Sequence, residues 1–185
     1  MDAVNRMLAG HQLIGLALDA LETFVAWLVL PGHDRRRELD RIVALLERLA
    51  EVYQRDEEGV LARELIARGY STTRGELAQL LDQHADCSAR LVLLRRAAGA
   101  ARAWTPAERL RVAATACDYV EGMRRHLAAE DGFLLTAVRD RLGPEVRQRM
   151  GRDIAARADD DEQEALTQRV EALLRRYPPV AGPKA

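Results

Sequence analysis

The stretch His126-Leu127-Ala128-Ala129-Glu130 places an imidazole and a carboxylate one helical turn apart. It lies in a long segment with helical periodicity, in which core-type positions recur at steps of three and four: Tyr119, Met123, His126, Glu130, Phe133 and Ala137. Both polar side chains therefore fall on the stripe that faces the core. A buried carboxylate is costly unless a counter-charge or several hydrogen bonds accompany it. A metal ion would supply that charge and would use the imidazole as well.

Start and stop signals divide the chain into five predicted helices. The clearest start is Thr105-Pro106-Ala107-Glu108, which combines an N-cap threonine, a proline at the first helical position and a glutamate at the third. The first predicted helix is Val4–Leu30, with a stop at Pro31-Gly32, and the second runs from His33 or Asp34 to Arg68, with Asp34 as the N-cap and a stop at Gly69. The capping signature of Ser71-Thr72-Thr73 with Glu76 opens the third. The fourth runs from Thr105 to Gly143-Pro144, and the fifth is Glu145–Arg176, with a break around Asp159–Glu162. No strand-like alternation is visible, so the predicted fold class is all-α.

Composition is that of an ordinary soluble domain, with 185 residues, 48% hydrophobic and 31% charged side chains and a net charge of -1. Arginine supplies every basic side chain except Lys184, and the arginine pairs are scattered and offset by acids. Phosphate binding needs a clustered basic surface, so we expect no nucleic-acid partner.

Two cysteines in a chain of this length do not make a disulfide framework. The N-terminus has no basic and apolar signal-peptide pattern, and Asp19 and Glu22 interrupt the apolar run of the first helix. We therefore expect a cytoplasmic protein without a membrane partner. The pattern leaves the oligomeric state open, a homo-oligomer included.

Polar residues interrupt the inward apolar stripes of the other helices as well, at His11, Glu57 and His84. Consecutive helices with short connections pack up, down, up, down. Counted at about 1.5 Å per residue from the helix ends, these three residues and Glu130 lie within about one turn of a common level. With His126 they make three imidazoles and two carboxylates in one dry layer. Such donors suit iron, and also manganese or zinc, and two carboxylates suit two metal ions.

The order His11, Tyr53-x-x-x-Glu57, His84, His126-x-x-x-Glu130 on successive helices resembles the ligand pattern His, His-x-x-x-Glu, His, His-x-x-x-Glu of bacterial hemerythrin-like (HHE cation-binding) proteins. The resemblance spans Val4 to Leu142 and is carried by His11, Glu57, His84, His126 and Glu130. The runs Glu57-Glu58-Gly59-Val60-Leu61 and Glu130-Asp131-Gly132-Phe133-Leu134 are similar to the acidic-then-apolar run that follows each paired motif of the family. One position departs from the pattern, because Tyr53 stands where the family has the histidine of its first pair.

The resemblance implies an up-down-up-down four-helix bundle over residues 1–142. Beyond it, the sequence predicts a C-terminal helical extension (143–177), and Pro178-Pro179 and Gly182-Pro183 predict a disordered tail (178–185). The resemblance also implies a non-haem, oxo- or hydroxo-bridged di-iron centre, in which His11, His84 and His126 hold the irons while Glu57 and Glu130 bridge them. The expected ligand is dioxygen, peroxide or nitric oxide, and the expected protein is a sensor, scavenger or oxidase. Reversible gas or metal storage without turnover and a metal-free helical interaction module stay open.

Tyr53 is the candidate catalytic residue and a sixth candidate metal ligand. A deprotonated phenol is a good ligand for ferric iron, so Tyr53 can bind directly, leave a coordination position open or hydrogen-bond to a ligand. Gln54 points about 100° away and is a weaker candidate. Of the remaining polar residues, we expect Glu58 to be solvated, Cys87 to be a small buried filler and His33 to be a surface or capping residue.

Overall fold

The computed structural model describes residues 3–30, 34–54, 58–156 and 159–179, and in these residues the chain is all-helical, without a strand. Seven α-helices occur in the described chain: α1 Ala3–Leu28, α2 Arg36–Leu49, α3 Arg63–Ile66, α4 Glu76–Ala98, α5 Pro106–Arg141, α6 Pro144–Ala155 and α7 Asp160–Arg176. Two π-helical segments, Ala50–Gln54 and Glu58–Ala62, lie between α2 and α3. None of the described helices is both long enough and apolar enough to cross a membrane.

The start of α5 is the one that the sequence predicts. The hydroxyl of Thr105 accepts a hydrogen bond from the backbone N–H of Glu108, and the Glu108 carboxylate accepts one from the Thr105 N–H at 2.8 Å. Arg102 also donates to this carboxylate and, together with the Thr105 N–H, lowers the pKa of Glu108 to about 2. The helix ends at Arg141, immediately before Leu142 and Gly143, which confirms the predicted stop.

The predicted capping signature of the third helix is wrong. The helix α4 begins at Glu76 with Gly75 at the N-cap, at a φ of 80°, and no side chain caps it. Ser71 and Thr73 instead bond to each other locally, since the Ser71 hydroxyl accepts the Thr73 N–H at 3.1 Å. Serine and threonine hydroxyls that satisfy nearby backbone groups favour a turn over a helix start.

The second predicted helix lies where the sequence places it, but only its first part, Arg36–Leu49, is a regular α-helix. Arg35, not Asp34, occupies the N-cap position, although the Asp34 carboxylate accepts the backbone N–H of Arg36 at 3.1 Å. Beyond Leu49 the α-helix gives way to the π-helical segments, whose longer repeat rotates later side chains away from a 3.6-residue count. The chain then turns at Gly69, which has a φ of 91°, as expected. The predicted stop at Pro31-Gly32 lies outside the described residues.

Buried apolar side chains form two clusters, and the four long stretches of the chain each contribute to both. The first cluster takes residues from Leu13 onward in α1, as far as Tyr53 after α2, from Cys87 onward in α4 and as far as Leu127 in α5. The second cluster takes Met7 of α1, Val60 and Leu61, Leu77 and Leu80 of α4, and residues from Phe133 to Leu142 at the end of α5. The two clusters therefore leave a level between them on every one of these stretches.

The C-terminal helices belong to the same core. Met150 and Ile154 of α6 join the second cluster, whereas Leu166 and Val170 of α7 join the first. The predicted break in the fifth helix is confirmed, since α6 ends at Ala155 and Asp159 caps α7 through the N–H of Glu162.

After α7 the chain stays against α1. The Tyr177 ring packs edge-on against Phe24, with ring centres 5.3 Å apart, and the Thr23 hydroxyl donates to the Pro178 carbonyl at 3.0 Å. Of the predicted tail, residues 180–185 lie outside the described residues.

We expect Thr105→Ala to lower the free energy of unfolding by about 1 kcal/mol, because an N-cap hydroxyl satisfies a backbone N–H that is otherwise unpaired. Chemical denaturation would measure the change. Thr115→Ala is the matched control on the same helix, since the Thr115 hydroxyl donates only to the Arg111 carbonyl in its own helix. An equal loss in both variants would show that the cap contributes nothing specific.

Candidate metal centre

A layer of polar side chains occupies the level between the two apolar clusters. His11 of α1 and His126 and Glu130 of α5 are buried, with exposures of 5%, 1% and 6%, and His84 of α4 is partly buried. Along their helices, His11, His84 and Glu130 each lie between a residue of one cluster and a residue of the other, and His126 lies one turn before Glu130, between two residues of the first cluster. The helical periodicity that builds the apolar core thus also aims these four side chains inward at one level.

Glu130 is the centre of this layer. Its Oε2 atom lies 3.5 Å from Nε2 of His11 and 3.4 Å from Nε2 of His126. The His126 ring also meets the His84 ring edge-on, with centres 5.5 Å apart. The structure therefore brings together four of the six residues that the sequence nominates as metal ligands, from three different helices.

The distances around Glu130 suit two kinds of contact. Two donors about 2.1 Å from one metal ion are about 3.4 Å apart when the angle between them is about 110°. A carboxylate beside a protonated imidazole forms an ion pair over a similar distance. Among the described residues, no group of three or more His, Cys, Asp or Glu side chains is arranged as it stands to hold a metal ion.

Asp131 is a member of the site that sequence reasoning missed. Its Oδ1 atom lies 2.7 Å from Nδ1 of His11, so α5 contacts the same imidazole through two successive residues. Asp131 falls outside the predicted inward stripe of α5, because it lies about 100° around the helix from Glu130. The available signal was its position directly after Glu130, on the side of α5 that turns toward a neighbouring helix.

Tyr53 is buried, with 8% exposure, and closes the first cluster where that cluster meets the polar layer. Its ring lies against α1 at Gly10, the residue before His11. A Cβ atom built on Gly10 would lie 2.6 Å from Cδ1 and 2.8 Å from Cγ of Tyr53, closer than real atoms approach. Glycine at position 10 therefore makes room for the tyrosine ring beside His11.

The other nominated residues divide into those outside the layer and those that are not described. Cys87 is buried in the first cluster, and burial raises the pKa of its thiol, as expected of an inert filler. Glu57 and His33 lie outside the described residues, as do the side chains of Gln54 and Glu58.

Comparison with known proteins adds no relative, since no family model, no curated protein and no solved structure matches the chain. The residues of the polar layer and their geometry are therefore the basis for a proposed function.

We expect Gly10→Ala to lower the free energy of unfolding by about 1 kcal/mol. Overpacking costs about 1–3 kcal/mol, while replacing a helical glycine by alanine returns about 1 kcal/mol. Gly15→Ala on the same helix is the matched control, because a Cβ there meets no atom within 4 Å. That variant should gain about 0.5–1 kcal/mol.

Denaturation of both variants, with and without Tyr53→Ala, would test this contact. Without the tyrosine ring, Gly10→Ala should no longer be destabilising, because the atoms that it would meet are gone. Equal effects of Gly10→Ala and Gly15→Ala in the unmodified chain would contradict the close packing.

Proposed function

We propose that the chain is a hemerythrin-like four-helix bundle whose polar layer holds two non-haem iron ions and that it binds or reacts with dioxygen, peroxide or nitric oxide. The single observation that carries the proposal is the buried Glu130 carboxylate, which lies within 3.5 Å of imidazole nitrogens from two helices. The observation fits iron, because imidazole and carboxylate are the donors that such centres use.

The packing of the long helices supports the bundle. In the described chain, α1 contacts α2 and α5, and α4 contacts α2 and α5, which closes a ring of four neighbours. Along the chain, α1 passes from the second cluster to the first, the stretch after Arg36 passes back, α4 repeats the first direction and α5 the second. Alternation of this kind is what an up-down-up-down arrangement produces.

The proposed roles of the three histidines and of Glu130 follow from their places in the layer, whereas that of Glu57, which lies outside the described residues, follows from the resemblance. His11, His84 and His126 would hold the irons through ring nitrogens, while Glu130 and Glu57 would bridge them. When bound, the pair of irons would supply the electrons and the coordination position that a small oxidant or gas requires. Manganese or zinc at the same donors would provide the binding without this redox chemistry.

Burial limits the size of the ligand. The His11, His126 and Glu130 side chains are 2–8% exposed, so the layer is reached by little more than a diatomic molecule or a peroxide. Three surface cavities of 670, 320 and 430 Å³ are lined by residues outside this layer. A role as sensor, scavenger or oxidase of small oxidants agrees with this burial, and storage of gas or metal without turnover is the alternative.

A metal-free interaction module is the second candidate, and the contacts of Glu130 favour it too. A protonated imidazole on either side would neutralise the carboxylate without a metal ion, as in a buried ion pair. The two candidates differ in one measurable quantity, which is the metal content of the protein.

We expect about two iron ions per chain in protein purified without added metal or loaded with ferrous iron under reducing conditions. His126→Ala should lose at least half of this iron, because it removes a nitrogen that adjoins Glu130. His33→Ala is the control, as it changes the one histidine that the proposal leaves out of the layer. Elemental analysis of the three proteins, with circular dichroism to check their folding, makes the measurement. Absence of iron in the loaded wild-type chain, or full iron content in folded His126→Ala, would reject the assignment.

If Tyr53 binds ferric iron through its phenolate, the air-exposed protein should show a phenolate-to-iron charge-transfer band in the visible range. Tyr53→Phe should remove this band while the iron content stays the same, because only the phenol oxygen is lost. Tyr119→Phe is the control, since Tyr119 is also buried, at 1% exposure against 8% for Tyr53, and is not a candidate metal ligand. Persistence of the band in Tyr53→Phe would exclude Tyr53 as its source. Tyr53→His should move the protein toward the oxygen-binding behaviour of the family.

A further inference from the structure

The contact between α5 and His11 points to a positioning role for Asp131, which rests on the proposed metal site. We infer that Asp131 fixes the tautomer and the orientation of the His11 imidazole, so that its Nε2 lone pair faces the position between His11 and Glu130. Asp131 would not itself bind the metal ion.

The hydrogen bond determines which nitrogen carries the proton. A carboxylate oxygen accepts, so Nδ1 of His11 donates across the 2.7 Å contact with Asp131. A neutral imidazole has one donor and one acceptor nitrogen, which leaves Nε2 as the acceptor. That nitrogen is the one directed at Oε2 of Glu130, 3.5 Å away.

The same ring is thus held between two consecutive carboxylates of one helix. Glu130 lies at its Nε2 side and Asp131 at its Nδ1 side, because neighbouring residues of a helix differ by about 100° in direction. The His11 side chain is only 4% exposed, whereas that of Asp131 is 36% exposed. Asp131 therefore lies at the rim of the layer and reaches inward to the ring from the solvent side.

Each carboxylate favours a different tautomer of His11, and the two tautomers have opposite effects on metal binding. With the proton on Nε2, the imidazole would donate to Glu130, and this hydrogen bond would occupy both the nitrogen and the oxygen that a metal ion needs. With the proton held at Nδ1, His11 does not donate to Glu130, and Nε2 and Oε2 can both act as ligands of a cation. Partners that orient a metal-binding histidine in this way change metal affinity by about 10–100-fold.

The first experiment reads the tautomer without metal. Long-range ¹H–¹⁵N correlation spectra of the metal-free, ¹⁵N-histidine-labelled chain should show His11 protonated at Nδ1 and unprotonated at Nε2. In Asp131→Ala the proton should move to Nε2, whereas Asp131→Asn should retain Nδ1–H because its amide oxygen still accepts. Asp118→Ala, an exposed aspartate on the same helix, is the control and should leave the His11 signals unchanged.

The second experiment titrates the same four proteins with ferrous iron under reducing conditions. Asp131→Ala should bind iron about 10–100-fold more weakly than wild type, Asp131→Asn should fall between them, and Asp118→Ala should match wild type. Denaturation of the metal-free proteins would verify that the loss of affinity is not a loss of folding.

Two results would overturn the inference: a wild-type His11 whose neutral ring carries its single proton at Nε2, or an Asp131→Ala variant that keeps both the wild-type tautomer and the wild-type iron affinity. A wild-type chain that binds no iron would reject the proposed function instead, and the tautomer measurement on metal-free protein would still decide whether Asp131 positions the ring.

Discussion

The burial of the Glu130 carboxylate is the constraint on which the rest of the polar layer depends. A carboxylate that is 6% exposed between two apolar clusters has lost most of its hydration, and the protein must return that stabilisation through positive charge or hydrogen bonds. Among the described residues, His11 and His126 approach it, from α1 and from the preceding turn of α5. Their convergence requires both helices to keep their register, which the apolar clusters above and below the layer enforce. The site is thus a property of the packing as much as of the ligating residues.

The stretch that carries Tyr53, close to the polar layer, is not a regular α-helix. The π-helical segments at Ala50–Gln54 and Glu58–Ala62 flank residues 55–57, and π-helical turns are frequent at functional sites. Across from them, Gly10 lets α1 approach the Tyr53 ring more closely than any other residue would. This irregular stretch therefore packs a large aromatic ring against the glycine that precedes His11.

Local signals predicted most of the fold, and distant contacts account for what they missed. The capping box at Thr105 and the break before Asp159 follow from backbone hydrogen bonds within a few residues, so sequence sufficed. Ser71 and Thr73 carry the same side chains but bond to each other, which composition does not reveal. Asp131 and Gly10 acquire their roles from His11 and Tyr53 on other elements, so neither was distinguishable in a one-dimensional pattern. The convergence of His11, His84 and Glu130 was predictable because counting residues from the helix ends gives their level, whereas Glu57 lies outside the described residues.

The two apolar clusters share helices, and this affects how cooperatively the protein unfolds. Because α1, α4 and α5 each run through both clusters, neither cluster can melt without withdrawing support from the other. The layer lies at their junction and has no independent hinge among these three helices. Opening of the site by partial unfolding is thereby disfavoured relative to one cooperative transition.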